Sequence, residues 1–331
     1  MSNELHNSTQ EEENGMNDIP VSFAVDEYLA DKAPNLEPGS LERYQSKLHL
    51  FAAWCDEQGI FLAQIRNIIV HRFLEHLKKT HHSHKAGRGP LSSKTIFGYV
   101  RTIKTFLYWC LDDDSPFREG LSLLTVKNVR PPKVQTLIVE VFSDHQIEGM
   151  LTACKAEENE YMRTRATAVV SLLSSTGIRA AELCTLTIGN VRMSVGGGES
   201  YVLVLGKGQK WREVPFDKET RRKLSTYLIK HRRGALPEER VFLNRDRTAP
   251  FTVPALQQLV ERLGNRAGIT GQRVSPHVFR HTRAANWYML EGKDIFEVGK
   301  LLGHSSVATT QHYLDSLSTR NMRQAVRVVK R

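Results

Sequence analysis

The sequence has few of the features that are typical of secreted, membrane-spanning or metal-stabilised proteins. Among 331 residues there are only four cysteines, far apart and without metal-ligand spacing, so we expect reduced, buried thiols and neither a disulfide nor a zinc site. No apolar run is long enough to span a membrane, and the polar N-terminus lacks the apolar segment of a signal peptide. These absences predict a cytoplasmic protein without a membrane partner. The cysteines are Cys55, Cys110, Cys154 and Cys184.

Positive charge is missing from the first twenty residues, which carry five carboxylates and neither Lys nor Arg. Apolar side chains are also scarce there, so residues 1–20 are predicted to form a disordered acidic tail. The whole chain has 46 Lys and Arg against 36 Asp and Glu, and without the tail's five carboxylates the net charge of the remainder is +15. This balance favours a polyanionic partner such as nucleic acid, although a solvated cationic surface has the same composition.

Apolar residues recur at helical spacing through the first third of the chain, which predicts a small all-helical domain at residues 21–128. The helical segments are 23–29, 41–55, 68–77 and 96–110. A basic loop, KKTHHSHKAGRGPLSS, lies between two of them. Its histidines have no Cys or carboxylate partners at ligand spacing, which favours a solvated loop over a metal site.

Two adjacent prolines, Pro131–Pro132, end the helical pattern. Because proline cannot continue a helix, residues 129–142 are predicted to be an extended linker. Residues 143–331 then form a second domain with a C-terminal tail. That domain opens on Ser143 and Gln146, which are spaced as a capping box before an amphipathic helix.

The second domain also contains a break in its helical pattern. Segments 201–205 and 212–216 alternate on either side of GKGQ, which predicts a β-hairpin. Its GKG lacks the G-x-x-x-x-G-K-[ST] pattern, so no nucleotide site is predicted. Ser275 and Pro276 suit the N-cap and first position of a later helix, and Gly303 suits a helix end. The whole chain is therefore expected to be mainly α with a small β-sheet.

Residues that can act on a phosphodiester follow one another in the C-terminal half. Each motif is weak alone because Arg, Lys, His and Tyr are common, whereas the ordered set is specific. The motifs are TGIRAAEL around Arg179, VLGKGQKWREVPF around Lys207, SPHVFRHT with His277 three residues before Arg280, and LGHSSVATTQHYLD with His304 nine residues before Tyr313.

This ordered set resembles the tyrosine recombinase (phage integrase) family, and the likeness covers roughly residues 21–325. The resemblance implies an N-terminal helical core-binding domain of SAM-like fold and a C-terminal catalytic domain. Members of the family cleave DNA with a tyrosine, form a 3′-phosphotyrosyl bond and release a 5′-hydroxyl without a metal or a nucleotide cofactor. Since only the acidic tail precedes the first helix, no arm-binding domain is expected, as in Xer-like or transposon-type layouts.

The resemblance also implies roles for single residues. Tyr313 matches the nucleophile, His277 a possible general base for its proton, and Lys207 the general acid that protonates the leaving 5′-oxygen. The remaining matches hold the phosphate: guanidinium groups bind its two non-bridging oxygens in fixed geometry, and an imidazole donates a further hydrogen bond to a non-bridging oxygen. These residues are Arg179, Arg280 and His304.

An acidic family position falls on Glu182, which either orients its neighbours or lies on a helix surface. The implied partners are double-stranded DNA with inverted half-sites and further copies of this chain, a dimer on the site and a tetramer in the synapse. Two alternatives stay open: strand relaxation of the type IB topoisomerase kind, and a DNA-binding protein without catalysis.

Beyond the tyrosine, apolar residues form one helical stripe that must be buried somewhere. Packing into a neighbouring protomer and packing on the chain's own domain are both open. The stripe consists of Met322, Ala325, Val326 and Val329.

Overall fold

The computed structural model describes residues 18–80, 91–118, 121, 123–132, 140–194, 198–206, 210–304, 306, 310, 311 and 314. Most of the acidic tail, the histidine-bearing loop, Lys207, Tyr313 and the C-terminal stripe lie outside these residues. The chain divides between Gln135 and Thr136 into two compact units, each with its own hydrophobic core. None of the described helices is both long and apolar enough to cross a membrane.

The N-terminal unit is helical, and the structure confirms the four helical segments predicted from periodicity. Each helix is longer than its apolar pattern by a few residues. The helices are α1 (Val21–Lys32), α2 (Pro38–Glu57), α3 (Asn67–Thr80), α4 (Ser93–Cys110) and α5 (Leu123–Asn128). Aromatic rings fill the core: Tyr28 meets Phe106 and Trp109 edge-on, with ring centroids 5.7 and 5.4 Å apart.

The C-terminal unit is built around a buried central helix. Its helices are α6 (Asp144–Ala153), α7 (Glu160–Thr176), α8 (Ala180–Thr185), α9 (Lys218–His231), α10 (Val253–Arg266), α11 (Pro276–Met289) and α12 (Ile295–Leu302). In α7 the consecutive residues 168–173 are all buried, so this helix has apolar contacts on every side, as a core helix must. The four cysteines of the chain are buried with free thiols, as the sequence predicted.

A three-stranded antiparallel sheet lies beside these helices, in the order β1 (Val191–Arg192), β2 (Ser200–Leu205) and β3 (Trp211–Phe216). The predicted hairpin is confirmed as β2 and β3, with Val202 opposite Val214 and Val204 opposite Arg212. Strand β1 was not predicted, because two residues are too few to show alternation. The sheet therefore brings Arg212 onto the same face as buried valines.

Local backbone signals set the positions that matter for the site. The capping box of Ser143 and Gln146 is present at the start of α6, and Pro276 opens α11 as predicted. Gly177 and Gly303 end α7 and α12 in the left-handed conformation, with φ of 60° and 67°. Since glycine adopts this conformation without the steric cost of a Cβ, both helices can end abruptly, and the chain turns at once into Arg179 and His304.

Packing of α10 against the segment before α11 generates a stability prediction. In Gly264→Ala the new methyl group overlaps Val274 Cγ1 and lies 2.9 Å from Val274 Cγ2. Overpacking of this kind costs about 1–3 kcal/mol, so the melting temperature of the unit should fall by about 2–10 °C. Differential scanning fluorimetry measures it. The double variant G264A/V274A should recover part of the loss, and Gly39→Ala, which meets nothing within 4 Å, should lose nothing. An unchanged melting temperature in Gly264→Ala would contradict the packing.

Candidate active site

Three arginines hold the last turn of α12. The final carbonyl groups of a helix have no partner within it, and the negative end of the helix dipole attracts cations. Each of three successive carbonyl oxygens accepts from a different guanidinium: Leu301 O from Arg212 Nε at 2.9 Å, Leu302 O from Arg280 Nη2 at 2.5 Å, and Gly303 O from Arg179 Nη2 at 3.1 Å. Side chains from three separate elements therefore converge immediately before His304.

The three arginines reach this turn from different depths. Arg280 on α11 is 2% exposed and also donates to Gly177 O at 3.0 Å. The side chain of Arg212 on β3 is 9% exposed, whereas that of Arg179, at the N-cap of α8, is 37% exposed. Arg179 is therefore the member of the trio that most clearly faces solvent, and it can meet an anion while keeping its contact with Gly303.

A single carboxylate, that of Glu182, links two of these arginines. Its Oε1 accepts from Arg179 Nη1 at 2.9 Å and from Arg212 Nη1 at 3.0 Å. Its Oε2 accepts from the Arg179 backbone N–H at 2.7 Å and from Arg212 Nη2 at 2.8 Å. Glu182 is only 7% exposed, so it is not a surface carboxylate. Burial alone raises its pKa, but the hydrogen bonds and charges of Arg212 and Arg179 outweigh burial and hold the pKa below its ordinary value.

His304 is a neutral imidazole surrounded by positive charge. Its backbone N–H donates to Gly299 O at 2.9 Å, and its Nδ1 lies 2.9 Å from Thr310 Oγ1. Burial, followed by the charges of Arg280 and Arg179, lowers its pKa to about 4. When the Thr310 hydroxyl donates to Nδ1, the single imidazole proton resides on Nε2, which then serves as a donor.

His277 lies one helical turn before Arg280 on α11 and is exposed. Its ring packs edge-on against that of His281, with centroids 4.3 Å apart. Burial, then the charges of His277 and Arg280, lowers the pKa of His281 to about 3. His281 is therefore uncharged at neutral pH and adds no positive charge beside His277.

Of the six residues predicted from the sequence, Arg179, Arg280 and His304 meet at the end of α12, and His277 shares a helix with Arg280. Lys207 and Tyr313 lie outside the described residues. Sequence reasoning missed Arg212. A signal for it was present, because in the strand WREVPF Arg212 alternates in phase with the apolar Val214 and Phe216, and a cation on an apolar face needs a buried partner. Within the described part of the chain, no cluster of His, Cys, Asp and Glu could hold a metal ion.

Comparison with known proteins agrees with this fold. Residues 140–320 match the Phage integrase family, and residues 22–111 match the Phage integrase SAM-like domain. The chain is 27% identical over 294 residues to tyrosine recombinase XerC of Leptospira interrogans, covering 88% of each protein. It is 32% identical over 236 residues to tyrosine recombinase XerD of Caulobacter vibrioides, covering 69% of this chain and 71% of that protein.

Among solved structures, the chain is similar to the XerH site-specific recombinase bound to its palindromic difH substrate. The TM-score is 0.69 at 21% identity, with 91% of this chain and 83% of the other covered. The chain therefore belongs to the phage integrase family, with a SAM-like domain ahead of the catalytic one. Within that family it is a tyrosine recombinase, and neither topoisomerase-like relaxation nor DNA binding without catalysis is favoured.

The depressed pKa values of His304 and His281, about 4 and about 3, predict the pH response of this unit. Between these values and the ordinary histidine pKa of about 6.5, the unfolded chain binds protons that the folded chain does not. Stability should therefore be complete above about pH 6.5 and fall as the pH drops towards 4. By NMR, the Cε1–H signal of His304, identified by its loss in His304→Gln, should stay at the neutral position at pH 5.5. A titration midpoint near 6.5 would contradict the burial and charge described.

Proposed function

We propose that this protein cleaves and rejoins double-stranded DNA at inverted half-sites through a 3′-phosphotyrosyl intermediate, as a site-specific recombinase. It acts in the cytoplasm as a dimer on each site and a tetramer in the synapse. The observation that carries the proposal is the convergence of Arg179, Arg280 and His304 on the last turn of α12. The relatives named as tyrosine recombinases support the proposal. The similarity to the XerH structure supports the fold on which it depends.

Stabilisation of charge is the main task in this reaction. As the phosphodiester is attacked, negative charge builds up on its non-bridging oxygens, and fixed donors aimed at such charge can each be worth about 3–4 kcal/mol. Arg179 and Arg280 supply guanidinium groups whose orientation is set by backbone carbonyls. His304 adds a neutral donor through Nε2. Because the arginines are held before DNA arrives, little reorganisation is needed in the transition state.

Proton transfer completes the reaction at either end of the phosphate. Tyr313 is the nucleophile, and its phenol, with an ordinary pKa of about 10, must lose a proton. His277, exposed at the first turn of α11, is suited to accept that proton, and nearby arginines favour the phenolate. Lys207, which follows the β2 strand, protonates the departing 5′-oxygen. In the rejoining step the same groups act in reverse.

DNA binding rests on charge. The net charge is +10 over the whole chain and +15 once the acidic tail is set aside, so long-range attraction favours the approach of duplex DNA. Cationic contacts with phosphates release counterions, and affinity then falls steeply with salt.

Replacing the proposed nucleophile separates chemistry from binding. Tyr313→Phe removes only the phenolic oxygen, so we expect unchanged affinity and no covalent adduct. The substrate is a nicked suicide duplex whose sequence wild-type protein selects from a randomised pool by binding. Denaturing gels report the adduct. A persistent adduct in Tyr313→Phe would assign the nucleophile to another tyrosine, and Tyr288→Phe, altered at an exposed tyrosine, is the matched control.

The role of Lys207 as general acid is tested by the leaving group. Lys207→Ala should cleave the ordinary duplex at least about 100-fold more slowly, since general acid catalysis contributes about 10²–10⁴. A duplex with sulfur in place of the bridging 5′-oxygen should restore the rate, because a thiolate leaves without a proton. Equal defects on both duplexes would show that Lys207 contacts the phosphate instead. Lys210→Ala, in the same hairpin, is the control.

A further inference from the structure

Arg212 has no part in the proposed chemistry, yet its guanidinium makes three hydrogen bonds within the site. Its guanidinium binds Glu182 through two hydrogen bonds of 3.0 and 2.8 Å and holds Leu301 O at 2.9 Å. Two glycines, Gly303 and Gly206, leave space for this guanidinium. A Cβ atom at Gly303 would lie 2.9 Å from Arg212 Nη1, and one at Gly206 would lie 3.2 Å from the same atom. The guanidinium is therefore fixed between the base of the hairpin and the turn before His304.

The charges around Glu182 suggest why a second arginine is needed there. Glu182 carries one negative charge and binds Arg179 at 2.9 Å. With no other partner, this carboxylate would offset the charge of Arg179 one to one and leave that guanidinium less able to stabilise the negative charge that develops on the phosphate during cleavage. Arg212 shares the same carboxylate at 2.8 Å while buried. The trio of two arginines and one glutamate then has a net charge of +1, and the exposed member, Arg179, faces solvent.

We infer that Arg212 is a positioning residue for DNA cleavage: it occupies Glu182 so that Arg179 keeps its charge for the phosphate, and it fixes the turn that presents His304. The inference rests on the proposed recombinase function. It does not make Arg212 a catalytic residue, since Arg212 acts through Glu182, Arg179 and the carbonyl of Leu301. Its effect should therefore appear in the rate of cleavage and not in DNA affinity.

The decisive experiment measures adduct formation with the selected suicide duplex, half-site binding by gel shift, and melting temperature. Arg212→Gln should form adduct about 30–100-fold more slowly, with half-site affinity changed less than about 3-fold, because a fixed donor system loses part of its orientation but none of its phosphate ligands. Arg212→Lys keeps the charge but cannot form the bidentate hydrogen bonds of a guanidinium. Its rate of adduct formation should therefore fall less, by about 5–10-fold.

The double variant Glu182→Gln/Arg212→Gln distinguishes this role from mere stabilisation. Without the carboxylate charge, residue 182 no longer neutralises the positive charge of Arg179. The double variant should therefore form adduct at least about 5-fold faster than Arg212→Gln alone. A purely structural role predicts a gain no larger than the recovery of folded protein, because neutralising Glu182 also relieves the buried charge that Arg212→Gln leaves under-compensated; the rates are therefore compared per folded molecule. A double variant as slow as the single one, or slower, would overturn the inference.

Arg232 supplies a matched control in the same unit. Its side chain is 10% exposed and donates to a carboxylate, Glu239 at 2.7 Å, and to a carbonyl, Arg240 O at 3.0 Å. Arg232→Gln should lower the melting temperature and leave the rate per folded molecule unchanged. If Arg212→Gln behaves as Arg232→Gln does, the inference is wrong. If wild-type protein forms no adduct, the proposed function itself fails, so the two failures are distinct.

Discussion

The buried carboxylate of Glu182 is the interaction on which the site depends. An ionised carboxylate in a protein interior is costly unless its lone pairs are satisfied and its charge is balanced. Here four N–H groups from two arginines surround it. The same contacts that stabilise the charge also orient the side chain of Arg179 and tie strand β3 to helix α8. Electrostatic balance and geometry are thus provided by one set of hydrogen bonds.

A second constraint follows from the crowding of positive charge. Three arginines meet the end of α12, and a protonated imidazole beside them would be repelled. Burial and these arginines lower the pKa of His304 to about 4, so the histidine is a donor without a charge of its own. In the proposed reaction the site therefore separates two tasks: guanidinium groups carry the charge that attracts a phosphate, and His304 donates a directed hydrogen bond. When the Thr310 hydroxyl, 2.9 Å from Nδ1, donates to that nitrogen, Nε2 carries the proton for that task.

Local patterns predicted the elements well and the long-range contacts poorly. Periodicity located the N-terminal helices, alternation located the hairpin, and the glycine at 303 marked the end of α12, because these features depend on neighbours in sequence. The pairing of Arg179 with a carbonyl 124 residues away depends on how helices pack, and no pattern encodes it. The four proposed catalytic positions that the structure describes were reached through family motifs. Arg212 lies in the segment VLGKGQKWREVPF, from which only Lys207 was assigned a role, and its place on an apolar strand face was the one signal that it needs a buried partner.

Gly303 links the strand and the turn in a way that neither sequence segment suggests. Its left-handed φ of 67° already disfavours other residues, and the guanidinium of Arg212 also occupies the space that a side chain at 303 would need. The base of the hairpin and the end of α12 are therefore held together by this contact. Exchange of the hairpin tip between related enzymes should be tolerated as long as this contact is kept, whereas a graft that cuts through β3 at Arg212 would separate the hairpin from the proposed phosphate site.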